Sequence, residues 1–306
     1  MLVTAVLCTH DRARRLERTL ASLVGLRVAP EQPWELVVVD NASRDDTAAV
    51  LSRMACVLPL QPMCEPRLGL SAARNAGVRA ARGELVLFID DDVDVDPAWL
   101  GAHVAAAGRW PGAAYFAGRV DAEFEEPPVR WITEQRGALS GMLCELDLGP
   151  DERRLAPDEH PVGPNMAVRR AAFAHADFDE RLGLRGRDQI RGSETSLFRA
   201  LSRQGAWGVW VPAARVRHRI AREQATWRHF WRYYRSTGRA IGRLDPDPCR
   251  ATVALRARCW SHVGLGIVKR AAARPDWIAH LRHAAYLAGL IRESRVLRRA
   301  GTDASG

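Results

Sequence analysis

The chain has 306 residues, of which 47% are apolar and 26% charged, a balance that is typical of a soluble globular protein with a sizeable core. Its net charge is +9, and nearly all of the positive charge is arginine, since Lys269 is the only lysine. A GC-rich genome produces the same arginine bias, so the charge alone does not indicate a nucleic-acid partner.

The six cysteines form neither a CxxC pair nor a zinc-like spacing, which predicts reduced thiols in a cytosolic compartment. The first residues lack a basic segment and reach charged residues too early for a signal peptide. No window contains the roughly 18 apolar residues of a spanning helix. We therefore expect a cytoplasmic protein.

The first third of the chain alternates strand-like apolar runs with helical patterns. Strands are predicted at residues 2–9, 34–40, 56–60, 84–90 and 113–120, and helices at 12–26, 43–54, 69–83 and 97–110. Ser43 is a plausible N-cap of the second of these helices. Strands separated by helices predict an α/β fold, with a mostly parallel sheet covered on both faces.

The pattern changes after residue 120. Residues 121–164 are rich in proline and charge, which predicts loops or a lid, and a helix follows at 193–205. Segments from residue 222 onward read as helices rich in Arg, Trp and Tyr. We expect one domain over 1–220, made of halves 1–120 and 121–220, then a helical appendage over 221–300 and a disordered tail over 301–306.

The stretch "LVLFIDDDVDVDP" brings Asp90, Asp91 and Asp92 to the end of a predicted strand, where open α/β sheets bind ligands. Adjacent carboxylates repel each other unless a cation neutralises them or some are protonated. Mg²⁺ or Mn²⁺ suits such oxygen ligands. A calcium loop starting at Asp90 would need glycine and glutamate where Val95 and Gly101 stand. A solvated acidic turn remains the alternative.

Four segments at these strand ends follow one another in a familiar order: "TAVLCTHDR", "ELVVVDNASRDDT", "GLSAARNAGVRAARGE" and "LVLFIDDDVDVDP". Their order and spacing resemble the donor-binding half of the family 2 glycosyltransferases, which have the GT-A fold. The resemblance continues through "GPNMAVRR", "GSETSLFRALSRQG" and "VPAARVRHRI", and covers roughly residues 2–220. It implies transfer of a sugar from a UDP-, dTDP- or GDP-sugar to a glycan, lipid-linked or small-molecule acceptor, assisted by Mn²⁺ or Mg²⁺.

The resemblance also implies roles for single residues. Asp92 looks like the metal ligand, with Asp90 beside it and His218 as a further candidate, although a lone histidine is often structural. The expected nucleotide-sugar contacts are Thr9, Asp11, Arg12, Asp40, Arg74, Asp90 and Asp91. Three of these have alternatives, since Thr9 could be an ordinary strand-end residue, Asp40 could cap a turn and Arg74 could face solvent on its helix. Trp131, Asn165 and Met166 are expected on the acceptor side.

An inverting transfer needs a carboxylate that takes the proton of the attacking hydroxyl. The family usually supplies it from a Glu-Asp pair at a helix start, with a leucine three residues after the Asp. Glu194 stands three residues before Leu197 and so matches that Asp, but Ser193 replaces the Glu. The sequence therefore predicts Glu194 as the general base, with Asp188 as the fallback.

Two other functions remain open. A nucleotidyltransferase has a similar sheet, but "THDRARR" after the first strand lacks the glycine-rich loop of that class. The departure at Ser193 leaves room for a nucleotide-binding homologue that does not catalyse.

The basic C-terminal helices could pack on the catalytic domain or touch the inner face of the membrane. No RNA-binding motif is present, and no nucleic-acid partner is expected.

Overall fold

The computed structural model describes residues 1–185, 188–244 and 253–303. Its strands are β1 (Val3–Thr9), β2 (Trp34–Asp40), β3 (Leu60–Cys64), β4 (Leu85–Asp90), β5 (Val93–Val95), β6 (Tyr115–Phe124), β7 (Arg153–Arg154), β8 (Met166–Arg169), β9 (Gly183–Arg185), β10 (Asp188–Ile190) and β11 (Gly208–Ile220). Its α-helices are α1 (Ala13–Val24), α2 (Thr47–Met54), α3 (Leu70–Ala80), α4 (Trp99–Arg109), α5 (Arg130–Glu134), α6 (Ser140–Leu143), α7 (Ser193–Arg203), α8 (Trp227–Leu244), α9 (Val253–Ala271) and α10 (Trp277–Asp303).

The chain divides into two compact units. The first unit comprises Met1–Glu123, Cys144–Gly186 and Ser193–Arg219, and the second comprises Phe124–Leu143, Arg187–Gly192 and Ile220–Gly306. The end of the first unit lies close to the boundary expected at residue 220. Residues 124–143 and 187–192, which precede that boundary, belong to the second unit.

The first unit is built on a mixed, mostly parallel sheet with helices, as the sequence predicts. The strand order is β3-β2-β1-β4-β8-β6-β11-β5, and β7 pairs with β11. Strands β1 to β4 run parallel, whereas β8 is antiparallel to both β4 and β6. Thr9 pairs with Asp40 and Cys8 with Asp90, so the carboxyl ends of three parallel strands meet at one edge of the sheet.

Both faces of this sheet are buried, and β1 shows why. Val3, Ala5 and Leu7 point into one apolar layer, while Val6 and Cys8 point into the other. Side chains alternate across a strand, so a strand that is covered on both faces is apolar at most of its positions. The continuous apolar runs of β1, β2 and β4 are therefore the signal of a central parallel sheet.

Among the differences between predicted and observed boundaries, three concern β3, α2 and the C-terminal tail. Strand β3 runs over Leu60–Cys64 instead of 56–60, because it is an edge strand with exposed side chains and contains Pro62. Helix α2 begins at Thr47, and the Ser43 hydroxyl instead accepts a hydrogen bond from the backbone N–H of Asp11. Helix α10 extends to Asp303, while the rest of the tail, residues 304–306, lies outside the described residues.

The second unit contains the long helices α8, α9 and α10. Helices α8 and α10 cross closely at two glycines: a Cβ atom at Gly238 would lie 1.9 Å from the Tyr286 carbonyl oxygen, and one at Gly289 the same distance from the Arg235 carbonyl oxygen. Only glycine permits this approach of two backbones. None of the helices in the described ranges combines the length and the apolar character that crossing a bilayer requires.

Ion pairs join the helices of the second unit. Glu293 of α10 is 1% exposed and accepts hydrogen bonds from Arg239 at 2.8 Å and Arg243 at 2.5 Å, both on α8. Lys269 near the end of α9 pairs with Asp276, which directly precedes α10. Buried glutamate is tolerated here because two guanidinium groups neutralise it.

Candidate active site

The candidate active site lies in the first unit, at the edge where β1, β2 and β4 end. The Thr9 hydroxyl, at the end of β1, donates a hydrogen bond of 2.7 Å to Asp91 Oδ2 just beyond β4. Asp91 and Asp92 are 4% and 5% exposed, so the acidic triplet does not form a solvated turn. The predicted convergence of these strand ends is what the sheet register produces.

Two arginines from the start of α1 neutralise the buried carboxylates. Arg12 Nη1 lies 2.9 Å from Asp91 Oδ1 and 3.2 Å from Asp92 Oδ2, and Arg15 Nη1 lies 3.5 Å from the same Asp92 oxygen. In the free protein, these guanidinium groups offset the repulsion within the triplet. Arg15 was not among the sequence candidates, although its place in the "DRARR" run directly after β1 was the available signal.

The two carboxylates respond differently to burial. Burial raises the pKa of Asp91 to about 6, against the attraction of Arg12. Burial also raises the pKa of Asp92, but His218 and Arg12 outweigh it and hold that pKa below its usual range. Asp92 is therefore the more firmly ionised of the pair at neutral pH.

His218, on β11, lies beside Asp92. Its Nε2 atom lies 3.4 Å from Asp92 Oδ1, and both side chains are buried. Within the described residues, no three His, Cys, Asp or Glu side chains are grouped so that they could hold a metal ion. The Asp92–His218 pair offers one oxygen and one nitrogen donor, so a divalent cation bound there would need its remaining ligands from outside the protein.

Arg74, on α3, connects Asp90 with the predicted base. Its guanidinium is 2% exposed, so it does not face solvent. Nη2 donates to Asp90 Oδ1 at 3.1 Å, and Nη1 donates to Glu194 Oε1 at 2.5 Å. The Ser193 hydroxyl donates to the other carboxylate oxygen, Glu194 Oε2, at 3.1 Å. Both carboxylate oxygens of Glu194, at the start of α7, therefore accept a hydrogen bond.

The same contacts set the ionisation of these carboxylates. Burial raises the pKa of Asp90, and the attraction of Arg74 opposes that rise only in part. Burial also raises the pKa of Glu194, but the Arg74 guanidinium outweighs it and keeps the pKa below the usual range. Glu194 is therefore a carboxylate at neutral pH, which is the form that can accept a proton.

Gly163 makes this arrangement possible and was not recognised in the sequence. A Cβ atom at this position would lie 2.6 Å from Glu194 Oε1 and 2.7 Å from Arg74 Nη2. Glycine is the only residue that leaves room for both side chains here. The Gly-Pro dipeptide at 163–164 was a turn signal, but it could not reveal which side chains the turn would approach.

Asp11 and Asp40 shape the loops that follow β1 and β2. Asp40 Oδ1 accepts a hydrogen bond of 2.9 Å from the Ser43 backbone N–H, which is the turn-capping contact considered for it. Asp11 has a φ angle of +50° and accepts a hydrogen bond of 2.6 Å from the Arg44 backbone N–H. Both carboxylates are partly or fully exposed to solvent at the sheet edge.

Asn165 and Met166 lie in the interior, each 0% exposed. Asn165 accepts a hydrogen bond from Trp99 Nε1 at 2.8 Å and donates to the carbonyl oxygens of Arg119 at 2.9 Å and Ala214 at 2.8 Å. Their side chains therefore belong to the core of the first unit and not to a surface that an acceptor could reach.

The two remaining candidates lie outside the first unit. Trp131 is on α5 of the second unit and stacks on Trp227, with ring centroids 4.2 Å apart. Asp188 lies in β10, also in the second unit, and the prediction that it is the fallback base concerns a side chain outside the described part of the structure.

The chain matches curated glycosyltransferases over different shares of its length. The chain is 29% identical over 250 residues to an N-acetylglucosaminyl-diphospho-decaprenol L-rhamnosyltransferase of Mycobacterium tuberculosis, covering 72% of this chain and 76% of that protein. It is 34% identical over 113 residues to the validoxylamine A glucosyltransferase of Streptomyces hygroscopicus subsp. limoneus, covering 36% of this chain and 25% of that protein.

Solved structures of similar fold include two glycosyltransferases. S. aureus TarS in complex with UDP-GlcNAc has a TM-score of 0.57 at 14% identity, covering 98% of this chain and 92% of that chain. The mannosyltransferase PcManGT from Pyrobaculum calidifontis, in complex with GDP-Man and Mn²⁺, has a TM-score of 0.53 at 18% identity, covering 99% and 75%. At these identities the likeness shows the fold.

The sequence also matches a described protein family across the strands that build the site. Residues 4–175, more than half of the chain, match the family "Glycosyl transferase family 2". This range contains the strand ends, the acidic triplet and Arg74. The chain therefore belongs to glycosyl transferase family 2, the nucleotide-sugar glycosyltransferases of GT-A fold.

Proposed function

We propose that the protein is an inverting glycosyltransferase in which Glu194 is the general base. The single observation that carries this proposal is the ion pair of Glu194 with the buried Arg74, which also holds Asp90 of the acidic triplet. It keeps an ionised carboxylate beside the strand ends where open α/β sheets bind ligands.

In the proposed reaction, an acceptor hydroxyl attacks the anomeric carbon of a nucleoside diphosphate sugar. The bond from that carbon to the acceptor oxygen forms while the bond to the diphosphate oxygen breaks. Glu194 takes the hydroxyl proton, and the electron pair of the breaking bond leaves with the diphosphate. One displacement of this kind inverts the configuration at the anomeric carbon.

The donor lies, in this proposal, along the ends of β1, β2 and β4. Asp40 accepts a hydrogen bond from the nucleobase, and Thr9, Asp11 and Asp91 line the nucleoside. Arg12 is 44% exposed and bound to two carboxylates, so it can also face the negatively charged diphosphate. Asp90 and Arg74 are further contacts of the nucleotide sugar.

Asp92 and His218 would hold a Mn²⁺ or Mg²⁺ ion. When bound, such an ion neutralises the negative charge that develops on the diphosphate leaving group. The low pKa of Asp92 keeps this ligand ionised. The Mn²⁺ in the complex of the P. calidifontis mannosyltransferase supports this part of the proposal.

A lipid-linked saccharide is the acceptor that the relatives favour. The M. tuberculosis relative is named for a diphospho-decaprenol-linked acceptor, and the match to it covers 72% of this chain. UDP-GlcNAc and GDP-Man are bound in the two structural neighbours, which supports a nucleoside diphosphate sugar as donor. A cytoplasmic location, where such donors are made, is part of the proposal.

The test begins with the thermal stability of the wild-type protein in the presence of UDP, GDP and dTDP sugars, with and without Mn²⁺. A bound donor raises the melting temperature and identifies the nucleotide. The turnover of Glu194→Gln is then measured with that donor. We expect a fall of about 100-fold or more, with donor affinity changed by less than about twofold.

Glu17→Gln is the matched control, because Glu17 also pairs with an arginine, Arg53, at 2.7 Å, but on the exposed surface. It should leave turnover unchanged. Wild-type turnover in Glu194→Gln would reject this base. Donor binding without detectable transfer in the wild type would favour the non-catalytic homologue, an alternative that the serine at position 193 keeps open.

A further inference from the structure

Helix α9 carries an unusual outward face. Five of the eleven exposed large apolar side chains in the described residues lie on this one helix of 19 residues: Val253, Trp260, Leu265, Ile267 and Val268. Trp260 is 74% exposed and Val268 65%. Concentrated exposure of this kind marks an interaction surface, whereas scattered exposed apolar residues do not.

The exposed apolar residues form a continuous stripe. Val253, Trp260 and Ile267 recur every seven residues, and the small residues Ala257 and Gly264 fill the positions between them. This spacing places Val253, Ala257, Trp260, Gly264 and Ile267 on one side of the helix, with Val268 next to them and Leu265 farther round. The opposite side, including the buried Gly266, packs against α10. The stripe therefore faces away from the helix that supports α9.

Cations border this stripe, and α9 contains no acidic residue. Arg256 and Arg258 are exposed on either side of it, and Lys269 and Arg270 lie in the last turn. Tryptophan and aliphatic residues flanked by arginines are the composition of a helix that lies in the interface of an anionic membrane.

A groove at the C-terminal end of α9 continues the same chemistry. It has a volume of about 580 Å³ and is lined in part by Arg130, Arg270, Arg274, Trp131 and Trp277. The Arg270 guanidinium lies 5.0 Å from the centre of the Trp277 ring. Glu134 also lines the groove and pairs with Arg130 at 2.6 Å, so Arg270 and Arg274 are the guanidinium groups beside the aromatic rings that suit a phosphate-bearing headgroup.

We propose that the outward stripe of α9, bordered by Arg256 and Arg258, docks on an anionic lipid surface. Charge complementarity favours this occupant over a second copy of the chain. A two-fold contact between two copies of this face would bring cations against cations, because the helix offers no acidic partner. Anionic headgroups satisfy the same cations.

Sedimentation with lipid vesicles tests this inference with the full chain. We expect the protein to sediment with vesicles of phosphatidylcholine that contain phosphatidylglycerol, and much less with phosphatidylcholine alone. The bound fraction should fall as salt is added, since salt screens the attraction between arginines and headgroups. Equal binding to both kinds of vesicle would contradict the proposed anionic surface.

Two valines give a matched pair of variants. Val268 on α9 and Val57 after α2 are 65% and 61% exposed, so a glutamate at either position is equally compatible with folding. Val268→Glu should lower the vesicle partition coefficient about tenfold, because it adds a carboxylate to an apolar surface facing anionic lipid. Val57→Glu should leave it within about twofold. Equal binding of the two variants would overturn the inference.

A second pair tests the charge separately. Arg256→Gln should lower the partition coefficient about fivefold, whereas Arg203→Gln, at the exposed end of α7, should leave it unchanged. The oligomeric state is measured without lipid. A wild-type dimer that Val268→Glu dissociates would assign the stripe to a second copy and reject the lipid proposal. These measurements include neither nucleotide nor acceptor, so they do not depend on the proposed reaction.

Discussion

The buried Arg74 forms an ion pair with the half-buried Glu194, with Nη1 and Oε1 2.5 Å apart. The arginine comes from the middle of α3 and the glutamate from the first turn of α7, 120 residues later. Because the same guanidinium binds Asp90, it connects the predicted base with the acidic triplet. It therefore fixes where the base stands before any ligand arrives.

Removing this arginine should damage both stability and turnover. Arg74→Ala leaves two half-buried carboxylates without their counter-ion and removes a buried side chain, and we expect a loss of about 2–3 kcal/mol in the free energy of unfolding. Urea denaturation measures it. Arg79→Ala, on the same helix and 61% exposed, should cost less than about 1 kcal/mol. Similar losses in both variants would contradict the structural role of Arg74.

Adding one methyl group at Gly163 should lower turnover with little change in stability. Gly163→Ala places a Cβ atom within 2.7 Å of both Glu194 and Arg74, so the base must move. Displacement by about 1 Å can cost about 100-fold in rate. Gly101→Ala is the control, because a Cβ atom there meets nothing within 4 Å. An active Gly163→Ala enzyme would show that the position of this carboxylate is not critical.

Gly238→Ala should destabilise the packing of α8 on α10. The added Cβ atom would lie 1.9 Å from the Tyr286 carbonyl oxygen, and a backbone atom cannot rotate away. We expect a loss of about 1–3 kcal/mol, measured by denaturation. The same substitution at Gly264, where a Cβ atom meets nothing within 4 Å, should be neutral or stabilise by about 1 kcal/mol through helix propensity.

Acid should weaken the packing of α9 on α10. The rings of His262 and His283 are 4.4 Å apart, and His262 Nδ1 lies 3.1 Å from His280 Nδ1. Burial lowers the pKa of His262, with repulsion from His283 adding to it, and burial together with Arg258 lowers the pKa of His283. Folding therefore favours the neutral rings.

The sign of the pH dependence follows from these lowered pKa values. Stability is fully present above the ordinary histidine pKa of about 6.5 and is lost as the pH falls below it, because the unfolded chain then binds protons more readily. His262→Gln should flatten the dependence of the melting temperature between about pH 5 and pH 8. His175→Gln, which alters an exposed ring, should not. An unchanged slope in His262→Gln would reject this explanation.

The sequence predicts the strands and the place of the site because both depend on local patterns. The apolar run at 34–40 coincides with β2, and Thr9, Asp40 and Asp90 meet because parallel strands end at one edge. The sequence pattern predicts edge strand β3 four residues too early, because an exposed strand carries little apolar signal. The apolar pattern of a sequence is therefore least informative for strands whose side chains are exposed.

The partners of the triplet could not be derived from the sequence. A cation was expected to offset the repulsion, and in the structure Arg12, Arg15 and Arg74 surround the carboxylates. Arg12 and Arg74 pair with residues 79 and 16 positions away, and sequence spacing does not encode such distances. The burial of Asn165 and Met166 likewise results from tertiary packing, because "GPNMAVRR" reads equally as a loop or a strand.

The lone amine-bearing side chain of the chain, Lys269, sits in the last turn of α9 and pairs with Asp276. An amine-reactive fluorophore therefore has one side-chain target, besides the N-terminus, and that target is on the helix proposed to dock on lipid. The protein therefore has a single lysine for labelling on this helix, and no mutagenesis is needed to introduce one. Its emission would follow the surroundings of α9 during a titration.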